Sequence, residues 1–254
     1  MMPGSFIERL LTSAIKNDRS YLVLVSGQQG IGKTSFAIHA AYMAYGNYAK
    51  ALRRLYFEAS DFFKDTASFT EPQLVAVFDD AGVWLSRQRW YEKEVVYLGN
   101  LLQLARNLFR LVIFTTPSEN LPRQVITHLN YVVRAIGVQD RGRVTVGAIY
   151  RKSYTHAYEE SYGRVEGIIR WPRYYPDDVY EAYSIIRAAK VAKFKAMAAV
   201  ASGFKEEARK VLEAARETIA LGRLRELIAK LGGSEEDVKA IVERVTNALS
   251  YTVD

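Results

Sequence analysis

The chain has 254 residues, of which 49% are hydrophobic and 25% charged, a composition typical of a folded globular protein and not of a disordered one. It has no cysteine, which excludes disulfides and cysteine-ligated metals, and its three histidines are scattered along the chain, which argues against a transition-metal site. No apolar run approaches the roughly 18 residues that a membrane span needs, and no signal-peptide pattern is present, so we expect a cytoplasmic protein without a membrane partner.

The first part of the chain alternates between buried-strand patterns and helical patterns. Strands are predicted at 21–25, 52–60, 74–80 and 111–116, and helices at 33–45, shortly after residue 60 and at 90–109. Such alternation favours an α/β fold, in which a parallel sheet is covered by helices on both faces.

The pattern changes after the fourth strand. Two β-rich segments flank the turn signal "QDRG" at 139–142, which predicts an antiparallel hairpin, and "GRVEGIIRWP" can add one more strand. From residue 177 onward, helices are predicted at 177–201, 204–231 and 234–250, the last one opened by a capping box of Ser234 and Asp237. We therefore expect an α/β sheet domain at 1–176 and an all-helical C-terminal domain at 177–254.

A glycine-rich segment joins the first strand to the first helix of this pattern. Its residues match G-x-x-x-x-G-K-[ST] without a gap, in the strand-loop-helix context that this phosphate-binding motif requires. The glycines let backbone N–H groups turn toward a phosphate, and the following helix directs its positive end at the same anion. We expect these residues to bind ATP: Gly27, Gln28, Gln29, Gly30, Ile31, Gly32, Lys33, Thr34 and Ser35.

Two adjacent acids end the third predicted strand, about 45 residues after the motif lysine. Carboxylates at the end of a buried strand are costly unless a cation neutralises them. We expect Asp79 to bind Mg²⁺ together with the hydroxyl of Thr34, and Asp80 to polarise the attacking water.

Several segments resemble the helicase-loader ATPases of the DnaA, DnaC and IstB type within the AAA+ class. "FDDAG" is similar to their Walker B segment, "LYFEASDFF" to their second strand and following helix, and "LARNLFRLVIFTTPSENLP" to their helix, strand and sensor segment. The resemblance covers about residues 20–135, and the chain is also loosely similar to ATPases of archaeal viruses and plasmids. It implies a P-loop ATPase core of the ASCE or AAA+ kind, a homo-oligomer and a helicase or other replication protein as partner.

The chain departs from that family at its catalytic positions. The resemblance would place Glu after the Walker B aspartate, but the residue is Asp80, and the RecA-like branch offers Glu58 at the end of the second strand as a different water-activating acid. We prefer Asp80, because it adjoins the magnesium ligand. Thr115 or Thr116 could serve as the sensor, or Asn120 after a small insertion, and we take Thr116 as the candidate.

Ring-forming ATPases complete their site with an arginine from the neighbouring subunit. Arg134 lies downstream of the sensor strand, where such an arginine finger is expected, and Arg123 and Arg106 are alternatives. Any one of them can equally be an ordinary surface or ion-pair arginine.

The net charge of +7 arises from residues 81–176, which hold 14 Lys and Arg against 7 Asp and Glu. This block favours a polyanion partner such as DNA. Its cations lie among aromatic residues, which suits a nucleic-acid track but also suits core packing. The residues of that candidate track are Arg141, Arg143, Arg151, Lys152, Arg164, Arg170, Trp171 and Arg173.

The C-terminal helices have helix-turn-helix spacing, but the last helix begins with three acids that would repel DNA phosphates. A helical lid or an oligomerisation bundle is therefore the better interpretation. The function predicted from the sequence is an ATP-hydrolysing enzyme that acts on DNA in replication initiation or helicase loading. A DNA packaging or transfer motor is the main alternative, followed by an ATP-dependent switch or a small-molecule kinase.

Overall fold

A computed structural model of the protein describes residues 3–85, 93–154 and 160–253. The strands are β1 (Tyr21–Ser26), β2 (Leu55–Tyr56), β3 (Gln73–Phe78), β4 (Phe109–Thr116), β5 (Tyr131–Gln139), β6 (Val144–Tyr154) and β7 (Glu160–Pro172). The helices are α1 (Pro3–Lys16), α2 (Lys33–Tyr45), α3 (Tyr48–Arg53), α4 (Ala59–Thr66), α5 (Ala81–Trp84), α6 (Lys93–Gln103), α7 (Arg123–Ile126), α8 (Asp177–Ala201), α9 (Lys205–Thr218), α10 (Leu221–Lys230) and α11 (Glu235–Leu249).

The strands form one sheet in the order β2-β3-β4-β1-β5-β6-β7. The first five of these are parallel, and β6 and β7 are added as antiparallel strands beside β5. The expectation of an α/β fold with a parallel sheet and a hairpin extension is confirmed at this level. Because β1, β3 and β4 run parallel, the glycine-rich loop and the acids after β3 lie at the same edge of the sheet.

Apolar side chains on both faces of the parallel strands explain why this sheet is buried. Val23 and Ile113 on one face and Leu24 and Phe114 on the other are all buried, as parallel strands covered by helices require. An aromatic cluster supports the acidic end of β3, where the ring of Phe78 stacks on that of Phe114 at 5.0 Å. The backbone that carries the candidate acids is therefore rigidly supported.

The chain divides into two compact units. The first comprises Met1–Gly46 and Arg54–Tyr174 and contains the sheet. The second comprises Tyr175–Asp254 together with Asn47–Arg53, a short segment from the middle of the first predicted domain.

That short segment is helical and includes the first residues of a predicted strand. The sequence predicted a strand over 52–60, but β2 is limited to two residues and the chain before it is helical. The helix begins where the Asn47 side chain accepts the Lys50 N–H at 3.1 Å, and Arg53 forms ion pairs with Glu236 and Asp237 of α11. These contacts with a distant part of the sequence outweigh the strand propensity of the segment.

Two predicted helices also differ from the structure. The helix predicted at 90–109 is described from Lys93 to Gln103, and a 3₁₀ turn at Ala105–Asn107 leads into β4. The helix predicted at 204–231 is broken into α9 and α10, with extended backbone at Ile219. The Thr218 hydroxyl donates to the carbonyls of Ala214 and Ala215 in the last turn of α9, which helps to end that helix.

The other predicted features of the helical unit are present. The capping box of Ser234 and Asp237 begins α11, with both reciprocal hydrogen bonds formed. The side chains of Ala196, Ala208 and Leu212 form a small buried cluster between α8 and α9.

Candidate functional site

Residues 27–32 form the glycine-rich loop between β1 and α2. Its three motif glycines all have positive φ, namely 144° at Gly27, 74° at Gly30 and 102° at Gly32, a backbone conformation that L side chains rarely adopt. Gly27 also has no room for a side chain, because a Cβ there would lie 2.9 Å from the Cβ and the carbonyl oxygen of Ala135. The glycine spacing is thus explained by backbone shape and by the close approach of β5.

Lys33 is the first residue of α2, and its side chain turns back over the glycine-rich loop. Its ammonium group donates to the carbonyls of Gly27 at 2.9 Å and Gln28 at 2.8 Å, although only 6% of the residue is exposed. A largely buried cation at the N-terminus of a helix, beside loop amides, is suited to hold an anion.

The two expected magnesium ligands are in direct contact. The Thr34 hydroxyl donates to Oδ1 of Asp79 at 2.9 Å, although 45 residues separate them in the chain. A second hydroxyl, from Thr115 on β4, donates to the same oxygen at 2.5 Å. Since Asp79 is fully buried, these hydroxyls stabilise a carboxylate that solvent does not reach.

A hydroxyl and a carboxylate in contact offer the oxygen ligands that Mg²⁺ prefers, the remaining positions being filled by water and phosphate oxygens. The residues present therefore fit a magnesium ion of the P-loop kind. Within the described residues, no cluster of three or more histidine and acidic side chains that could hold a metal by itself is found.

Asp80 has an unusual backbone at the point where β3 turns into α5. Its φ of 48° lies in the left-handed region, and its N–H donates to the Thr115 hydroxyl at 3.0 Å. Such a conformation costs a non-glycine residue on the order of 1 kcal/mol, less for Asp than for most others, and residues of this kind cluster at functional sites. Thr115 therefore contacts both acids.

The remaining predicted catalytic residues are arranged as follows. Glu58 is a partly exposed residue directly before α4, after β2, so β3 and β4 separate its strand from β1. Thr116 is buried, but the hydrogen bond to Asp79 comes from Thr115 and not from Thr116. Successive residues of a strand point to opposite faces, which explains why only one of the two threonines makes this contact.

Arg134 is bound by an acid of its own unit. Its guanidinium donates to both carboxylate oxygens of Glu119, at 2.7 and 3.1 Å, and lies over the ring of Tyr150 at 5.0 Å. The same carboxylate accepts a hydrogen bond from Ser26 at the end of β1. The predicted arginine finger thus lies beside the loop of its own chain, paired with a glutamate that the sequence did not single out.

The two alternative fingers are more exposed. Arg123 begins α7, after the carboxyl end of β4, and Arg106 lies in the 3₁₀ turn before β4, toward the opposite edge of the sheet.

The hairpin of β6 and β7, with the residue directly after it, contacts the glycine-rich loop through three side chains that were not predicted to serve it. The Thr145 hydroxyl donates to the Ile31 carbonyl at 2.6 Å, and the Trp171 indole N–H donates to the Gly32 carbonyl at 2.8 Å. Arg173 donates twice to the Gly30 carbonyl, at 3.1 and 2.8 Å. The only signal in the sequence was that an aromatic and a cationic residue, Trp171 and Arg173, stand close to each other at the end of β7.

The same strand end is bound to α2. The Ser35 hydroxyl donates to the Pro172 carbonyl at 2.6 Å, and the His39 ring contacts the Tyr174 carbonyl at 3.1 Å. Burial lowers the pKa of His39 below its usual value, while the bond to that carbonyl acts in the opposite direction.

A cavity of about 340 Å³ adjoins the loop. Its walls are the loop residues 28–31, residues 135–138 of β5, where the pairing with β6 shifts in register, and Arg173. A space of this size next to the loop is within the range of small-molecule sites.

The cations of the candidate nucleic-acid track are not equivalent. Lys152 is buried and donates to the Ile126 carbonyl, and Trp171 is 1% exposed and packs against Phe36. Neither of these two side chains can contact DNA in this structure, so that part of the expectation is wrong. Exposed arginines remain at Arg141, Arg143, Arg151 and Arg170, whereas the side chain of Arg164 lies outside the described residues.

Comparison with known proteins gives little functional information. No family model matches the chain. It is 32% identical over 121 residues to the uncharacterized protein B-251 of Sulfolobus spindle-shape virus 1, a match that covers 43% of this chain and 48% of that protein. It is 29% identical over 123 residues to the uncharacterized protein ORF286 of Acidianus two-tailed virus, covering 45% and 42%. The chain thus spans about half the length of the curated relatives it matches.

Among the described helices, none is both long enough and apolar enough to cross a membrane.

Proposed function

We propose that this protein binds ATP with Mg²⁺ at the glycine-rich loop and hydrolyses it. The observation that carries the proposal is the convergence of three elements: a loop with three left-handed glycines, the Lys33 ammonium over that loop, and the contact between Thr34 and the buried Asp79. Each of these has a role in holding phosphate or magnesium. Such a site is consistent with a P-loop ATPase of the ASCE or AAA+ class.

The residues around the loop have separate tasks under this proposal. Lys33 exchanges the carbonyls of Gly27 and Gln28 for phosphate oxygens, and its charge offsets that of the triphosphate. Thr34 and Asp79 hold the magnesium ion, which neutralises charge on the phosphates. Asp80, held at its left-handed position by Thr115, orients and polarises water.

The test is ATP binding and turnover by wild type and by Lys33→Ala. We expect the variant to lose turnover by two orders of magnitude or more, because removal of a positioned charge that stabilises developing phosphate charge typically costs about 3 kcal/mol or more. Arg110→Ala is the matched control, since Arg110 pairs with Asp18 at the start of β4, toward the other edge of the sheet. Equal turnover in wild type and Lys33→Ala would refute the assignment.

The proposed partner of the ATPase is DNA, in helicase loading or replication initiation, with a homo-oligomer as the active form. What supports a DNA partner is the concentration of positive charge in residues 81–176 and the exposure of Arg141, Arg143 and Arg151. We expect replacement of these three by Gln to weaken DNA binding and to reduce the slope of log K against log salt by about 3, since each phosphate contact contributes about 0.9.

Fluorescence anisotropy with labelled single- and double-stranded DNA at several salt concentrations measures this slope. The control carries three replacements on exposed cations of the helical unit, Arg209, Arg225 and Lys239, which removes the same charge from the protein. If the control loses as much affinity as the first triple variant, net charge alone governs binding and the proposed track is refuted.

A further inference from the structure

The hairpin of β6 and β7, together with Arg173 directly after β7, binds three consecutive carbonyls of the glycine-rich loop. Thr145 binds the carbonyl of Ile31, Trp171 that of Gly32, and Arg173 that of Gly30. None of these donors belongs to the sequence motif, and all three come from one hairpin that is more than 100 residues away in the chain.

Each bound carbonyl fixes the direction of a backbone N–H. A peptide unit is planar and trans, so the carbonyl of one residue and the N–H of the next point in opposite directions. Holding the Ile31 and Gly32 carbonyls against the hairpin therefore directs the N–H groups of Gly32 and Lys33 away from it. The Ile31 N–H is already used within the loop, because it donates to the Gln28 carbonyl at 3.4 Å and closes a turn.

The fit between loop and hairpin is tight enough for this constraint to be effective. A Cβ at Gly32 would lie 2.8 Å from the Thr145 hydroxyl and 3.2 Å from Cγ of Arg173. Thr145 is fully buried, and the Trp171 ring packs edge-on against Phe36 of α2 at 5.2 Å. Two of the three donors thus sit in rigid surroundings, where a hydrogen bond determines orientation and does not fluctuate with solvent.

We infer that Thr145, Trp171 and Arg173 are positioning residues that preorganise the glycine-rich loop for phosphate. This inference rests on the proposed function, because it assumes that the loop binds ATP. A loop with many glycines loses much conformational entropy when it is ordered. By ordering the loop before the ligand arrives, the hairpin lowers the entropy that ATP binding must offset, and so raises affinity.

The test compares Thr145→Val, which removes the hydroxyl but keeps the volume, with Thr145→Ser, which restores a hydroxyl. We expect Thr145→Val to raise the dissociation constant of a fluorescent ATP analogue with Mg²⁺ about fivefold, as expected for the loss of one neutral hydrogen bond. Thr145→Ser stays within about twofold of wild type. Turnover at saturating ATP changes less than affinity, because bound phosphate then orders the loop itself.

Trp171→Phe provides a second variant, which keeps an aromatic ring against Phe36 but loses the N–H, and should also raise the dissociation constant. Thr127→Val is the control, since the exposed Thr127 hydroxyl donates to the carbonyl of Gln124, three residues earlier, and not to a carbonyl of the loop. All measurements are made well below the melting temperature of each variant, so that loss of stability alone does not change affinity.

The outcomes separate this inference from the proposed function. If wild type binds ATP and both Thr145→Val and Trp171→Phe bind it equally well, the inference is refuted and the proposed function stands. If the serine variant loses as much affinity as the valine variant, side-chain packing and not the hydroxyl governs the loop, which also refutes it. If wild type does not bind ATP, both fall together.

Discussion

Replacing Thr115 by Val tests the arrangement of the two acids more sharply than replacing either acid. The Thr115 hydroxyl donates to Oδ1 of Asp79 at 2.5 Å and accepts the N–H of Asp80 at 3.0 Å. Valine keeps the volume and the strand propensity but removes both bonds. The net value of a hydrogen bond to a charged group is about 1.5 to 3 kcal/mol, and that of a neutral one about 1 kcal/mol.

We therefore expect Thr115→Val to lower the free energy of unfolding by about 2 to 4 kcal/mol. In a unit of this size, that corresponds to a fall in the melting temperature on the order of 5 to 15 °C. Tryptophan fluorescence during denaturant unfolding reports on the right unit, because all three tryptophans lie between residues 84 and 171, within the unit that contains the sheet.

Thr116→Val is the matched control on the neighbouring residue. Thr116 is equally buried, but within the described residues the hydrogen bond found for its hydroxyl is a long one of 3.4 Å, accepted from the Ser118 N–H. We expect it to cost less than 1 kcal/mol. If Thr116→Val destabilises the protein as much as Thr115→Val, or if ATP turnover depends on Thr116 and not on Thr115, the reasoning from this geometry is wrong.

Two other predictions concern acids. Asp80→Asn should retain ATP binding and lose turnover by about 10²- to 10⁴-fold, the usual contribution of a general base. If instead the acid after β2 activates water, Glu58→Gln should show this loss of turnover. Normal turnover in both variants would exclude both assignments. In the helical unit, burial alone would raise the pKa of Asp237, but bonds from Ser234 and Arg53 together hold that pKa below its ordinary value of 3.8. A lowered pKa contributes stability above the unfolded pKa that is lost as pH falls through the folded pKa. The difference in the free energy of unfolding between wild type and Asp237→Asn, followed by circular dichroism, should therefore shrink as the pH falls below about 4. A difference that is constant from pH 7 to pH 2 would contradict this.

The local elements were predictable from the sequence where one physical signal dominated. The buried parallel strands appeared as short apolar runs, and the turn before β6 has a glycine with φ of 86° at Gly142, next to two further positive φ values. The capping box at Ser234 was readable because it depends on residues three positions apart. By contrast, α3 and the shortened β2 depend on the contacts of Arg53 with α11, which no local pattern contains.

The candidate site was predictable to the extent that it follows from the motif. The spacing from Gly27 to Thr34 and the acids after β3 indicated their shared edge of the sheet, because parallel strands place their carboxyl ends together. Which threonine contacts Asp79 could not be read from "TTPSEN", since the choice depends on the face that each residue of β4 presents. The pairing of Arg134 with Glu119 joins a residue of β5 to one of the loop after β4, and their proximity depends on β1 lying between β4 and β5.

The arginines of residues 81–176 show why a charge count overestimates a binding surface. Arg134 is paired with Glu119, Arg173 with the Gly30 carbonyl and Arg110 with Asp18. Longer contacts also join Arg151 to Glu166 and Arg170 to Gln139, so at least five of the twelve arginines have partners in their own unit. An arginine that holds a backbone carbonyl releases few counterions when DNA binds, because it is not available to a phosphate. The salt dependence of DNA binding should therefore follow the exposed arginines near the turn between β5 and β6 and on β6, and not the excess charge of the whole block.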